Sequence, residues 1–366
     1  MSDLKRTPLY SFNVAQGGRM VDFAGWEMPV QFGGILDEHK TTRAAAGLFD
    51  VSHMGEAIVS GEQATEFLDY VLTNDISSME VGRVVYSLMC YENGGVVDDL
   101  LVYRQGADSY LLCLNASNVD KDVDWLMSHM DGFAVKVKDV SSDYGLIALQ
   151  GKEAFPILEI LCDSDLKTLK YYHFVDAKVA GVDCIVSRTG YTGEKGVELF
   201  VRSEDAASLA EALFEVGKPK GLVLAGLGAR DSLRLEASYS LYGHEISEEI
   251  TPVQANLMWT VKLSKKSDFV GKAALVAEKE KGPEKKIVFF KTGTRRIIRA
   301  GTALMCGPEV AGMVVSGTFS PVLNEGIGSA LVDAKFLKQE LSVDNRGKAM
   351  AIYATKPPFI ELNPQA

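Results

Sequence analysis

Apolar residues recur every three or four positions in three stretches, and that spacing places them on one side of a helix. The stretches are "EQATEFLDYVL" (62–72), "SEDAASLAEALFEVG" (203–217) and "GLGARDSLRLEAS" (226–238). The second opens with acidic residues, which suit a helix N-terminus. Elsewhere the apolar residues come in short runs bounded by Gly, Asn, Asp or Ser. "EAIVSG", "VVYSLMCYE", "VVDDLLVYR", "SYLLCLNA" and "DCIVSRTG" predict strands. Helices and strands do not alternate regularly, so the fold class is α+β rather than a repeating βαβ. The stretch "AEKEKGPEKK" (277–286) is charged, carries Gly282-Pro283 and reads as an exposed connection. Beyond it, "KIVFF", "TALMC", "EVAGMVVSGTFSPVL", "IGSALVD" and "AMAIYAT" are short β-rich runs. They predict a small antiparallel barrel or sandwich.

"GGVVDDLLVY" (94–103) departs from this pattern, because Asp98 and Asp99 stand inside an apolar run. Adjacent side chains of a strand face opposite sides. If both faces are covered, one aspartate must point into an interior or a cleft. A lone buried carboxylate costs several kcal/mol or becomes protonated, so such a group needs a partner or a task. The alternative is that Gly94-Gly95 form a hairpin turn and both aspartates sit at its wet mouth. In "SRTGYTGEKGVELF" (187–200), Gly190, Gly193 and Gly196 are spaced by three. There is no G-K-[ST] and no dinucleotide fingerprint. Glycine at this density lets a backbone approach a flat ligand closely. Glu198 follows, an acceptor-only group able to take two parallel N–H bonds, as a pterin or guanine edge offers. Arg230 and Arg234 lie one helical turn apart. Either both face solvent, or Arg230 turns inward to a carboxylate or a ligand carbonyl. His53 and His244 read as hydrogen-bonded structural residues, since nothing beside His53 in sequence equips it as a general base.

Composition narrows the class. A chain of 366 residues exceeds one ordinary core and predicts two or three domains. With 47% hydrophobic and 24% charged residues it should fold and stay in solution. The net charge of −11 argues against phosphate-backbone binding as its main task. No apolar run approaches ~18 residues, so no transmembrane helix is expected. "MSDLKRTPLYSFN" lacks the apolar core of a secretory signal, which predicts an intracellular protein. The five cysteines are scattered without a C-x-x-C pair and read as reduced, and the histidines have no metal spacing. No metal site is expected.

Several ordered motifs share a likeness: "MVDFAGWEMPVQF" (20–32), "EHKTTRAAAGLFDVSHMGE" (38–56), "YSLMCYENGGVVDDLLVY" (86–103), "GYTGEKGVEL" (190–199), "GLGARDSLRLEASYSLYGHEI" (226–246), "TPVQANLMWTV" (251–261) and "VVSGTFSPVLNEGIGSALV" (314–332). Together they resemble the aminomethyltransferase family, the T-proteins of the glycine cleavage system, over nearly the whole chain. The resemblance implies a three-domain, cloverleaf-like fold around a central folate site. The folate-binding region would span 1–280, as two interleaved subdomains of roughly 1–50 with 140–280 and 51–139. A C-terminal antiparallel β-barrel would span 281–366. The implied activity moves the one-carbon unit of an aminomethyl group on the lipoyl sulfur of H-protein to tetrahydrofolate. The products are 5,10-methylenetetrahydrofolate, ammonia and dihydrolipoyl H-protein. Tetrahydrofolate is then a co-substrate, H-protein the partner, and neither nucleic acid nor membrane is involved. The implied location is cytoplasmic in a bacterium, or mitochondrial in a eukaryote, although no transit peptide is evident.

Residue by residue, Asp99 matches the family's essential aspartate, with Asp98 structural. Glu198 and Arg230 match folate-binding residues. Tyr86, Tyr103, Asn115, Tyr171, Tyr191 and Tyr239 fall where similar proteins line the pocket. The chain departs from its relatives at Asn13, where many carry His, and at Ser238-Tyr239, where many carry Gly-Met. "PPFIELNPQA" also lacks the folate-contacting tyrosine that some relatives have. "KTGTRRIIRA" (291–300) is the most basic cluster, and either guides an acidic carrier protein or is a solvated loop. Two alternatives belong to the wider superfamily. Folate-dependent demethylases tend to alter "FDVSHMGE", which is intact here, and no flavin-binding domain precedes the fold. The non-enzymatic folate-binding accessory proteins carry a cysteine that "YSLYGHE" lacks.

Overall fold

The computed structural model describes residues 4–345 and 348–362. The outer ends of the expected 1–280 and 281–366 regions, and the last four residues of "PPFIELNPQA", lie outside the described residues. The mixture of helices and sheets is as the pattern predicts.

A five-stranded antiparallel sheet runs in the order Val84–Cys90, Val96–Arg104, Ser109–Leu114, Gly55–Ser60, Lys136–Asp139. One face is covered by the helices Ala64–Val71 and Val119–Ser128, where Phe67, Leu68 and Leu126 pack on Val102 and Leu112. Neither helix has a side-chain cap at its N-terminus. A cap is worth about 1 kcal/mol. Burying Phe67, Leu68 and Val71 contributes about 1.5–3 kcal/mol each, so packing rather than capping holds the first of them.

A six-stranded sheet has the order Phe174–Val179, Val182–Ser187, Gly196–Arg202, Tyr144–Gln150, Ala46–Asp50, Leu222–Leu224, and only its last pair is parallel. The helices Ala154–Leu161 and Ala206–Gly217 cover one face, with Leu158, Leu209 and Leu213 against Leu149, Val186 and Leu199. The remaining faces of the two sheets meet each other. Tyr103, Leu111 and Cys113 come from the first, Phe49, Ala148 and Phe200 from the second, and Ala229 and Leu233 from the helix Leu227–Glu236. Strands covered on both faces need not alternate apolar with polar, which explains the near-continuous runs read in the sequence.

The C-terminal part is a closed barrel in the order Lys285–Lys291, Glu325–Asp333, Glu309–Ser320, Ala303–Cys306, Leu341–Asn345, Lys348–Thr355. Phe290, Leu304, Val314, Val343 and Ile352 are among the residues that fill it. The strand Leu341–Asn345 was not legible, because "LSVDN" offers only two apolar residues. The reading of 277–286 as a connection is corrected. A helix, Lys272–Lys281, runs through its first half and ends where Gly282 takes a left-handed φ of +85°. With Leu275 as the helix's one buried residue, no apolar periodicity announces it.

The barrel is tied to the helix Leu227–Glu236 by buried polar groups. Arg234, 1% exposed, pairs with Glu245 at 2.9 Å and donates to the Ser316 hydroxyl at 2.9 Å. The Ser329 hydroxyl donates to Glu245, and that of Ser320 to Glu236.

Candidate active site

Where the two sheets, the helix Leu227–Glu236 and the C-terminal segment converge, a cavity of about 860 Å³ opens. That is large enough for a small-molecule site. Eight of the nine residues singled out from the sequence line it: Tyr86, Asp99, Asn115, Tyr171, Tyr191, Glu198, Arg230 and Tyr239. Tyr103 does not. It is 0% exposed and lies behind the wall, its ring edge-on to Phe174 and Phe200. Its strand position shares a face with the cavity, but the second sheet closes over it.

Asp98 and Asp99 part company at a β-bulge. Met89 is opposite Asp98 and Cys90 opposite Val96, which leaves Val97 without a partner. A bulge breaks the alternation and re-aims a side chain. Val97 and Asp98 therefore both turn to the helix-covered face, and Asp99 turns to the cavity. The Gly94-Gly95 turn does form, with Gly94 at φ +88°, but the wet-mouth reading fails: Asp98 is 0% exposed. Asp98 accepts from Asn118 Nδ2 at 2.7 Å, Asn115 Nδ2 at 2.9 Å and Asn115 N at 3.2 Å. Asp99 accepts from the Tyr86 hydroxyl at 3.0 Å and from Asn115 Nδ2 at 2.8 Å. Burial, then the neighbouring Asp98 charge, push the Asp99 carboxyl up to about 7, although Tyr86 and Asn115 pull it back.

Glu198 is held on the strand Gly196–Arg202, opposite Ser187. One oxygen accepts from the Thr189 hydroxyl at 2.5 Å, and Thr189 bonds in turn to Ser187 at 2.8 Å. Burial raises its pKa against the lowering effect of Thr189 and Arg230. Arg230 does turn inward, but its guanidinium lies 4.6 Å from the centre of the Tyr191 ring, a cation–π arrangement, and it acts on Glu198 through the field of its charge. Arg234 also turns inward, for the structural purpose already described. The glycines at 190, 193 and 196 do not share one cause. A Cβ on Gly190 would fall 2.0 Å from Gln150 Oε1, and one on Gly196 2.5 Å from Gln150 Nε2, so these two make room for the buried glutamine. Gly193 takes φ +78°, and a Cβ there would fall 2.7 Å from Leu362; Gly190 also lines the cavity.

Several residues reach the cavity without having been singled out. Trp259 stacks on Tyr86 with ring centres 5.7 Å apart and planes 20° apart, and remains 59% exposed at the cavity edge. Its place inside "TPVQANLMWTV" was the available signal. Tyr172, Pro357, Pro358 and Leu362 also line the wall. So does Lys265, whose ammonium is used up on the carbonyls of Asp69, Leu72 and Asn74. Of the departures from the family pattern, Asn13 lies away from the cavity and donates to Asp50 at 2.7 Å. Ser238 takes φ +60°, the left-handed region that favours glycine. His53 is buried, edge-on to Phe23, and burial with the nearby Arg230 charge lowers it to about 3, so it stays neutral. His244 contacts the Val315 carbonyl at 2.6 Å. Among the described residues no cluster of His, Cys, Asp and Glu could hold a metal ion, and no helix is long and apolar enough to cross a membrane.

Known proteins are similar to this chain in sequence and in fold. The family model "GCVT N-terminal domain" matches residues 9–265, and "Glycine cleavage T-protein C-terminal barrel domain" matches 285–361. Curated relatives named aminomethyltransferase, from Bacillus cereus (strain B4264) and Bacillus anthracis (strain A0248), are 48% identical over 362 residues. Each such match covers 98% of this chain and 99% of the relative. The crystal structure of the glycine cleavage system aminomethyltransferase T from Bartonella henselae superposes with a TM-score of 0.93 at 35% identity. It covers 99% of this chain and 100% of that one.

Proposed function

This chain belongs to the glycine cleavage T-protein family, as an aminomethyltransferase, and we propose that its central cavity is where the one-carbon unit changes hands. The substrates are an aminomethyl group on the lipoyl sulfur of H-protein and tetrahydrofolate. The carbon's bonds to sulfur and to its amine nitrogen are broken, two bonds to folate nitrogens form, and ammonia and dihydrolipoyl H-protein leave. No net oxidation occurs. The geometry of Asp99 is the observation that carries the reading. Its carboxyl group faces the cavity, is held by Tyr86 and Asn115, and shares the cavity with Glu198 and Arg230.

In this reading Glu198, with one oxygen fixed by Thr189, accepts from the amino and ring N–H groups of the pterin edge. Arg230 donates toward a ring carbonyl, and the tyrosines supply the flat walls a pterin stacks on. Asp99 in its ionised form stabilises the positive charge that develops on the migrating carbon, and orients the attacking folate nitrogen. We read the two sheets and the barrel as the three domains anticipated from the sequence, with the cavity at their junction. The exposed Arg295, Arg296 and Arg299 form the basic surface toward which an acidic carrier would be steered. A cytoplasmic location fits the bacterial relatives.

Ammonia release is the direct test. Aminomethyl-loaded H-protein and tetrahydrofolate are supplied together and separately, with dimethylsulfoniopropionate in a parallel reaction. Release that requires both partners is the expected result. Demethylation of the sulfonium compound without any ammonia release would overturn the reading.

A further inference from the structure

The bulge that turns Asp99 to the cavity is held from outside its own ladder. Val97, the extra residue, faces no residue of the strand Val84–Cys90, and a ladder leaves such a residue unpaired. Its carbonyl accepts instead from Lys121 Nζ at 2.6 Å. The same ammonium donates to the Tyr242 hydroxyl at 2.8 Å and lies 4.2 Å from the centre of that ring. Tyr242 in turn packs on the apolar cluster that includes Leu88, Cys90 and Val96. Lys121 is therefore half-buried and fixed on two sides, unlike a solvated surface lysine.

Its place in the fold points the same way. Lys121 stands in the first turn of the helix Val119–Ser128, where the helix dipole disfavours a cation, so it does not serve the helix. Asn118, just before that helix, donates to Asp98 Oδ1 at 2.7 Å. The start of one helix thus grips two consecutive residues, Val97 by its main chain and Asp98 by its side chain. The strand is pinned on either side of them. Val96 N donates to the Ser247 carbonyl at 2.9 Å, and Leu101 is paired with both Tyr86 and Cys113. The offset between these two anchorages is absorbed at Val97.

We propose that Lys121 is a positioning residue for the one-carbon transfer: by taking up the Val97 carbonyl its ammonium locks the bulge, and the bulge sets the Asp99 carboxyl at the cavity. This rests on the role proposed for Asp99. A buried carbonyl without a donor is costly, so loss of the ammonium drives the backbone at Val97 to rearrange, two positions from Asp99. Glu198 and Arg230, which hold the pterin in the proposed function, belong to other elements, the strand Gly196–Arg202 and the helix Leu227–Glu236. The effect therefore falls on the transfer step and not on folate binding.

Lys121→Met keeps the apolar stem and removes the ammonium. The readout is the single-turnover rate constant for transfer from aminomethyl-loaded H-protein, which does not depend on how much of the protein is folded. It should fall by about 10- to 100-fold, because a small misplacement of a reacting group is costly, while KM for tetrahydrofolate changes by less than about threefold. In an Asp99→Asn background, Lys121→Met should slow transfer by no more than about twofold, since the group it positions is gone. Tyr242→Phe frees the ammonium from its second anchor without touching the strand, and should slow transfer by about 3- to 10-fold. A wild-type rate constant in folded Lys121→Met overturns the proposal, as does equal slowing with and without Asp99. Should Lys121→Met fail to fold, a wild-type rate constant in Tyr242→Phe overturns it. If Asp99→Asn itself turns over at the wild-type rate, the Asp99 reading fails instead, and the two failures are distinguishable.

Discussion

Replacing Asp99 by Asn removes one negative charge from the cavity wall and keeps the side chain's size. At about 4 Å and an effective dielectric constant near 20, a carboxylate and a unit positive charge attract by about 4 kcal/mol. The migrating carbon carries most of a unit charge at the transition state, so the variant should turn over more slowly by a factor on the order of 10²–10³. The local bonding does not soften this loss. Both Asp99 oxygens accept, one from Tyr86 at 3.0 Å and one from Asn115 at 2.8 Å, so the new amide nitrogen would face a donor. Single-turnover transfer from aminomethyl-loaded H-protein at saturating tetrahydrofolate isolates the affected step. The pH dependence supplies a second signature. Asp99 titrates at about 7 in the folded protein, so wild-type turnover should climb as pH rises through that value, and Asp99→Asn should lack the limb. Stability should move the opposite way. The unfolded chain gives up this proton near 3.8 and the folded one near 7. The wild type therefore loses stability as pH rises between those values, and Asp99→Asn does not. The variant should gain thermal stability relative to the wild type at about pH 8 compared with about pH 5. Turnover close to wild type, or a surviving limb near neutral pH, would refute the reasoning.

Two further expectations concern ligand binding and assembly. Glu198→Gln should weaken tetrahydrofolate binding by about 10- to 100-fold, since charge-assisted hydrogen bonds contribute about 1.5–3 kcal/mol. Calorimetric titration measures this, and an unchanged Kd would remove Glu198 from the pterin site. Arg234→Leu should cost about 3–5 kcal/mol in urea unfolding, because it strands the buried Glu245 carboxylate at the seam with the barrel. A cost below about 1 kcal/mol would mean that the seam is held by its apolar contacts alone.

The α+β class, the helices at 206–217 and 227–236 and five of the six barrel strands were legible, because hydrophobic periodicity is a local property of the chain. Elements with sparse apolar residues were not. The helix Lys272–Lys281 buries Leu275 alone, and "LSVDN" becomes a strand through its pairing with both barrel neighbours. The site shows the same division. A carboxylate inside an apolar run was a visible anomaly, as were Glu198 and the inward option for Arg230. Glycine spacing was visible too, but the buried Gln150 that Gly190 and Gly196 make room for lies on a strand distant in sequence, Tyr144–Gln150. The family likeness, not the pattern, singled out Asp99 from its neighbour.

Local order in this chain announced which segments form strands and that two adjacent aspartates stand inside one of them. It did not announce which of the two would face the cavity. Strict alternation from Val96 would have turned Asp98 to the cavity and Asp99 to the helices. A single unpaired residue, Val97, reverses that assignment. The offset arises from how the strand Val84–Cys90 lies beside it, and a one-residue shift in pairing exchanges the two faces of a strand. Register of that kind belongs to two strands together and cannot be read from either one.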